Sequence, residues 1–260
     1  MYSLNYLRDD LEMEELKNLR QEYHDNPCLE TRFYLAKKLS KCGRDSKDRT
    51  QRLAYLLEAT ELFEENYRED PRYVTRRNLA ISYTQYADYS KHKEYFLKAT
   101  ELYEINVTEK PCFESRKELS RLYSMLIFGT DSTTPEGIKT IKELYLKKVP
   151  LDEANYNETP NFNTLNYISR TYYFLAHIIL EENGPNAFIE AEEWLMKALD
   201  LHEKDYKENP NKPLSKMKLV KAYHDLLHLE RRKDTPESKQ KARMWQTKID
   251  EKITLPFIKS

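Results

Sequence analysis

ATELFEENYREDP, residues 59–71, and ATELYEINVTEKP, residues 99–111, are two copies of one phrase. The likeness continues past each proline, where YVTRRNLAISY (73–83) lines up with FESRKELSRLY (113–123). Outward from these two copies, the same spacing returns at three more prolines. Leu35 and Leu39 follow Pro27, Leu79 and Tyr83 follow Pro71, Leu119 and Tyr123 follow Pro111, and Ile168 and Tyr172 follow Pro160. In all four the apolar residues stand eight and twelve positions after the proline; Pro210 is followed by Leu219 and Tyr223, one residue later. Twelve, eight and four residues before a proline stand Ala59, Phe63 and Tyr67, then Ala99, Tyr103 and Val107, then Ala198, His202 and Tyr206. Tyr23 and Tyr156 hold the position four before Pro27 and Pro160.

Apolar residues four apart share one face of a helix. Proline cannot continue the helix before it, but its fixed φ suits the start of the next. Each unit is therefore predicted to be a helix, a proline turn and a second helix. The prolines are 44, 40, 49 and 50 residues apart, within the range of repeat architectures. One hairpin cannot bury its apolar face alone, whereas stacked hairpins bury each other's. The expectation is an all-α stack of antiparallel helical hairpins. It covers 1–260 as a single domain, with about five repeats anchored at Pro27, Pro71, Pro111, Pro160 and Pro210.

Eleven helices are expected, at 10–25, 28–41, 48–69, 72–88, 91–109, 112–127, 135–157, 161–182, 187–208, 213–232 and 236–252. Thr133-Thr134-Pro135-Glu136 reads as a capping box with proline in the first turn, and Thr235-Pro236-Glu237 as a capping hydroxyl followed by proline. Asn183-Gly184 is a stop, and Asn186 can cap the helix that follows. Lys41 to Asp48, polar and holding Gly43, is expected as a surface loop, as is Gly129 to Thr134. Pro150 is expected to interrupt the seventh helix, and the apolar tail Ile253 to Ile258 to dock along the last one.

Only 4 glycines are present, which disfavours tight sheet turns and glycine-rich phosphate loops. The 43 basic and 44 acidic residues nearly cancel, so there is no global pull toward nucleic acid or anionic membrane. The first residues lack a basic stretch leading into an apolar one, and no run of eighteen apolar residues occurs; neither a secretory leader nor a membrane span is expected. Cys28, Cys42 and Cys112 are odd in number and widely spaced, which fits neither a disulfide framework nor a zinc motif and points to the cytoplasm. Cys28 and Cys112, at nearly matching places after two prolines, are expected to be small packing residues.

The pattern resembles the tetratricopeptide repeat (TPR) family. That family places Ala, an aromatic four later and proline eight after that, as in Ala59, Phe63 and Pro71, in Ala99, Tyr103 and Pro111, and with His in the aromatic place in Ala198, His202 and Pro210. In the first helix, Leu79-Ala80 with Tyr83, and Leu119-Ser120 with Tyr123, match the family's Leu, small residue and Tyr, one residue nearer the proline. The units exceed the usual length, so the resemblance is to a divergent relative. It implies a right-handed superhelical stack and a scaffold that binds a peptide or partner protein in a concave groove. It also implies that the first helix of each unit lines that groove.

On that basis the partner-binding candidates are Arg77 and Asn78, then Lys117 and Arg121, then Asn166, Tyr167 and Arg170, with Lys37 at one end and Lys221 at the other. Lys37, Arg121, Arg170 and Lys221 share roughly one repeat position, occupied by Ile81 in the remaining unit. A partly basic, partly aromatic groove suits an acidic peptide or a terminal carboxylate. The bland alternative is an ordinary solvated helix face. Arg77-Asn78 is only a fragment of the carboxylate clamp that some relatives carry, so that specificity is not assigned.

His224 and His228 stand one turn apart, but lack the glutamate and third ligand of a zinc site. Ser82, Ser120 and Ser169 lie inside predicted helices without a nucleophile elbow. His202 reads as packing. No catalytic residue, cofactor or metal is expected, and the chain is not read as an enzyme. Helical-repeat RNA binding is the alternative function, followed by an enzyme with a pocket between helices.

Overall fold

The computed structural model describes the backbone of residues 2–254 and the side chains of residues 11–253. Among these there are eleven α-helices and no strand. The chain divides into two compact units, Met1–Gly129 and Thr130–Ser260. The first holds α1 (Tyr2–Asp25), α2 (Leu29–Asp45), α3 (Arg49–Glu69), α4 (Tyr73–Ser90), α5 (Lys93–Glu109) and α6 (Phe113–Phe128). The second holds α7 (Pro135–Glu158), α8 (Phe162–Glu182), α9 (Ala187–Glu208), α10 (Pro213–Lys233) and α11 (Pro236–Thr254). Within each unit every helix packs against the next in sequence, so each unit is a series of antiparallel hairpins.

The periodic positions form the core. Leu35, Leu79, Leu119, Ile168 and Leu219 are buried, as are Leu39, Tyr83, Tyr123, Tyr172 and Tyr223. Ala59 and Ala99 are fully buried, with Phe63 and Tyr103 one turn further on. Each large apolar side chain contributes roughly 1.5–3 kcal/mol on burial.

The proline turn is built the same way four times. The helix before it ends on a capping residue whose own N–H closes the last helical bond: Asp70 on Asn66, Lys110 on Asn106, Thr159 on Asn155, and Asn26 on Glu22. Asp70, Lys110 and Thr159 lie at φ −139, −143 and −138 with ψ 87, 79 and 78, outside the helical region that the following proline disfavours. The proline comes next, and then the N-cap of the new helix: Cys28, Arg72, Cys112 or Asn161. Four residues after the proline stands a buried hydroxyl, at Thr31, Thr75, Ser115 and Thr164.

That hydroxyl bridges the break. Thr164 Oγ1 lies 2.7 Å from the Thr159 carbonyl and accepts the Asn161 N–H at 3.0 Å. Thr31 Oγ1 lies 2.7 Å from the Asn26 carbonyl and accepts the Cys28 N–H at 3.2 Å. Thr75 reaches the Asp70 carbonyl, and Ser115 Oγ accepts the Cys112 N–H at 3.2 Å. Backbone groups orphaned at two helix ends are thereby paired without water. The Pro210 turn carries one extra residue before Pro213 opens α10, which is why Leu219 and Tyr223 fall one place late.

Three turns above each proline, a second bond joins the two helices. Tyr83 donates to Glu64 at 2.7 Å, Tyr123 to Glu104 at 2.6 Å, Tyr172 to Glu153 at 2.6 Å and Tyr223 to Glu203 at 2.9 Å. Burial, then the facing carboxylate, raises all four phenol pKa values. The phenols therefore stay protonated as charge-assisted donors. In the first unit, guanidinium groups join successive hairpins: Arg32 binds Asn66 and Glu69, and Arg76 binds Asn106 and Glu109.

Several expectations are corrected. The segment expected as a loop from Lys41 is helical through Asp45. Gly43 is buried there, and an added Cβ would stand 2.7 Å from Leu56 Cγ, so the glycine permits close approach of α3. Pro150 does not interrupt α7, which runs unbroken to Glu158. The proline is exposed, and so is much of Leu146, whose carbonyl loses the donor that residue 150 would supply. The Asn183-Gly184 stop does end α8, with Asn183 taking its left-handed cap at φ 55. Asn186 is an N-cap without a side-chain bond, whereas Thr134 and Thr235 do cap, through Gly137 N and Ser238 N, each at 3.1 Å. Cys28 and Cys112 are half-buried N-caps rather than core packing. The tail expected to dock after Ile253 lies mostly outside the described residues.

If the hydroxyl bridge holds the turn, Thr164→Val will cost about 1 kcal/mol, because a part-buried carbonyl and an N–H lose their partner at unchanged volume. Thr164→Ser should recover most of it. Chemical denaturation measures both, and a valine variant as stable as the parent would contradict the bridge.

Candidate functional site

In the first unit, Lys37, Arg77 and Lys117 are exposed, and Asn78 and Arg121 half-buried, on α2, α4 and α6. The Lys37 ammonium stands 5.9 Å from the Phe33 ring. Arg121 is already engaged: it binds Glu118 at 3.1 Å and Asp88 at 3.2 Å. The basic positions of this unit are therefore partly neutralised by their neighbours.

The second unit brings predicted residues together. Asn166 and Arg170 from α8 and Lys221 from α10 line one cavity of about 280 Å³. Positions 166, 169, 170, 173 and 174 follow the helical period, so Ser169, Tyr173 and Phe174 share that wall. On α10, Lys218 precedes Lys221 by one turn and Asp225 follows by another. Between them α9 supplies Leu195, Ala198 and His202. Tyr167 is exposed and does not line the cavity: one residue beyond Asn166 is about 100° around the helix.

Three cations meet one carboxylate in this space. Lys221 is paired with Asp225, at 2.9 and 3.2 Å, and its ammonium stands 3.8 Å from the Tyr173 ring centroid. Lys218 lies 4.3 Å over the Phe162 ring, and Arg170 5.8 Å from that of Phe174. Burial lowers the Lys218 pKa; Asp205 opposes that and Arg170 adds to it. His202 takes the aromatic place of its repeat and is 8% exposed. Its Nδ1 has no partner among the described residues. Burial first, and then Lys218 and Lys221, push its pKa down to about 4, against the pull of Asp205. The imidazole is thus neutral near pH 7.

Other polar clusters are self-satisfied. Lys148 is buried with Asp152 on α7, its ammonium 2.9 Å from Thr171 Oγ1, and Thr171 donates to Asp152 at 2.7 Å. Glu230, Lys233, Lys241 and Glu192 form a network between α9, α10 and α11. A larger open depression of about 700 Å³ near the Pro160 turn carries Lys204 and Lys212 against Asp205 and Glu208, a balanced set. Among the described residues, no three His, Cys, Asp or Glu side chains gather closely enough to hold a metal ion. No helix there is long and apolar enough to cross a membrane.

No protein-family model matches the chain, and no curated protein does. Solved structures do. The nuclear import adaptor Nro1, from S. pombe, is 15% identical, with 93% of this chain and 87% of that one covered at a TM-score of 0.45. MamA RS-1 is 14% identical, covering 86% and 98% at 0.40. A Podosopora anserina kinesin light chain with nearly identical TPR-like repeats is 18% identical, covering 85% and 95% at 0.38. All three TM-scores lie below 0.5, so the helical-repeat fold stands on the hairpins themselves.

Lys218 and His202 are cavity residues that the spacing rule missed. Lys218 lies outside the repeated basic position, and only the placement of α9 between α8 and α10 turns His202 toward the cations.

The depressed pKa of His202 makes stability depend on pH. Above pH 6.5 the imidazole is neutral in both folded and unfolded chains, and its contribution is complete. As pH falls, the unfolded chain takes up the proton first, and the folded one only near pH 4. Stability is lost across that window, by an amount on the order of 3 kcal/mol. His202→Phe, matching Phe63, removes this term. Denaturation at pH 7 and pH 4 should show the gap between variant and parent shifting by that order, and parallel pH curves would contradict it.

Proposed function

We propose that the chain is a protein-interaction scaffold and that its second unit holds an acidic segment of a partner. The observation that carries this reading is the convergence of Arg170, Lys218 and Lys221, from two helices, on one cavity with aromatic walls. Cations held at a part-apolar surface attract carboxylates or phosphates, and Arg and Tyr give interface contacts most energy for their size. Tyr167, exposed on the same helix as Asn166 and Arg170, would add to this contact, and Lys37, Arg77, Asn78, Lys117 and Arg121 would form a separate contact surface on the first unit. Three free cysteines suit a reducing compartment such as the cytoplasm.

A photo-crosslinking residue at Phe174, on the cavity wall, tests the reading in cells; one at Ile189, exposed on α9, serves as control. The expected result is a protein adduct specific to position 174, insensitive to ribonuclease and absent when Arg170→Glu and Lys221→Glu are added. Equal adducts at both positions, or an adduct that ribonuclease removes, would reject it.

A further inference from the structure

We infer that the α8–α9–α10 cavity takes a phosphorylated side chain of the partner segment, with the phosphate among Arg170, Lys218 and Lys221 and the stem against Tyr173, Phe174 and Leu195. The inference rests on the scaffold reading above and specifies the ligand of that same site.

Charge is the first reason. Asp225 is committed to Lys221 at 2.9 Å, so the lining carries two positive charges in excess; Asp205, which also acts on Lys218, stands outside the lining, in the depression where Lys204 and Lys212 balance it and Glu208. A carboxylate would leave one of them uncompensated. A phosphomonoester carries about −1.5 to −2 at pH 7 and matches both. The cations also sense one another: against the pull of Asp205, Arg170 disfavours the charged form of Lys218, and Lys218 and Lys221 disfavour that of His202. Like charges held together in a partly desolvated place raise the energy of the empty site, and a dianion relieves it.

Donors are the second reason. A phosphate presents three acceptor oxygens on different sides, and the cations cannot aim all of their N–H groups at it, so neutral donors have a place beside them. Asn166 and Ser169 stand on the same lining. The Nδ1 of His202, buried and without a partner, is a polar atom whose cost is recovered only when something binds it. As a neutral imidazole it can donate an N–H without adding charge.

Space is the third. A volume of about 280 Å³ is several times the ~30 Å³ share of one water molecule. The apolar surfaces of Leu195, Ala198 and Ala222 would be wasted on a bare ion. They suit the stem that carries the phosphate.

Calorimetry on the full chain, with phenyl phosphate, benzoate and inorganic phosphate as probes, tests this, while NMR follows the His202 imidazole. Phenyl phosphate is expected to bind at one site, shift the His202 signals, and bind about tenfold or more tighter than either other probe. Lys218→Gln and Arg170→Gln, checked for native helicity, should each weaken it by about tenfold. Benzoate binding as tightly would overturn the phosphate assignment while leaving an acidic segment in place. Inorganic phosphate binding as tightly would overturn the stem. No binding and no His202 shift would overturn the site, whereas the scaffold reading fails separately, through the crosslink at position 174.

Discussion

One hydroxyl, four residues after a proline, closes the gap that the proline opens. Proline stops a helix because it lacks an N–H and crowds the turn before it, and it forces its predecessor out of helical geometry. Each break therefore leaves a carbonyl behind and an N–H ahead, at a place only partly shielded from water, beside a buried hydroxyl. In Thr31 and Thr164 the hydroxyl serves both groups, and Thr75 and Ser115 sit at the same register. Without it, the proline that sets the hairpin would also weaken it. With it, the two helices leave the turn at a defined angle, and the tyrosine twelve residues after the proline, or thirteen after Pro210, meets the glutamate seven residues before it.

The surface of the second unit follows from that geometry. Because each tyrosine is turned inward to its glutamate, the residue two positions earlier, Arg170 on α8 or Lys221 on α10, stands about 200° around the helix and faces outward. α9 lies between them with alanine at Ala198, small enough to leave a hollow instead of a ridge. His202 repeats the aromatic core position of α3 and α5, but brings a ring nitrogen where Phe63 has none. That substitution turns an ordinary packing site into a polar one at the base of a basic cavity.

The helices were legible because their stops are covalent facts. The five turn prolines, the Thr-Pro starts and Asn183-Gly184 mark boundaries that packing does not override, and periodic Leu, Tyr and Ala mark the buried face. Gly43 was misread because a glycine in a polar stretch signals a loop only when nothing presses on it, and the press comes from Leu56 of another helix. Pro150 was misread because an exposed proline can leave its unpaired carbonyl to water. The hydroxyls at four past the proline were in plain view, but their partners are backbone carbonyls, which no side-chain pattern displays. At the candidate site, Asn166, Arg170 and Lys221 were readable from repeat spacing. Lys218 and His202 were not, since their meeting depends on three helices packing together.

Amide hydrogen exchange at the N-caps tests the central claim most directly. An N-cap N–H has no helical acceptor and ordinarily exchanges freely. The account predicts that the amides of Cys28, Cys112 and Asn161 are protected like helix interiors, since the hydroxyls of Thr31, Ser115 and Thr164 accept them at 3.2, 3.2 and 3.0 Å. Exchange of these three amides at the rate of open loop positions would contradict it.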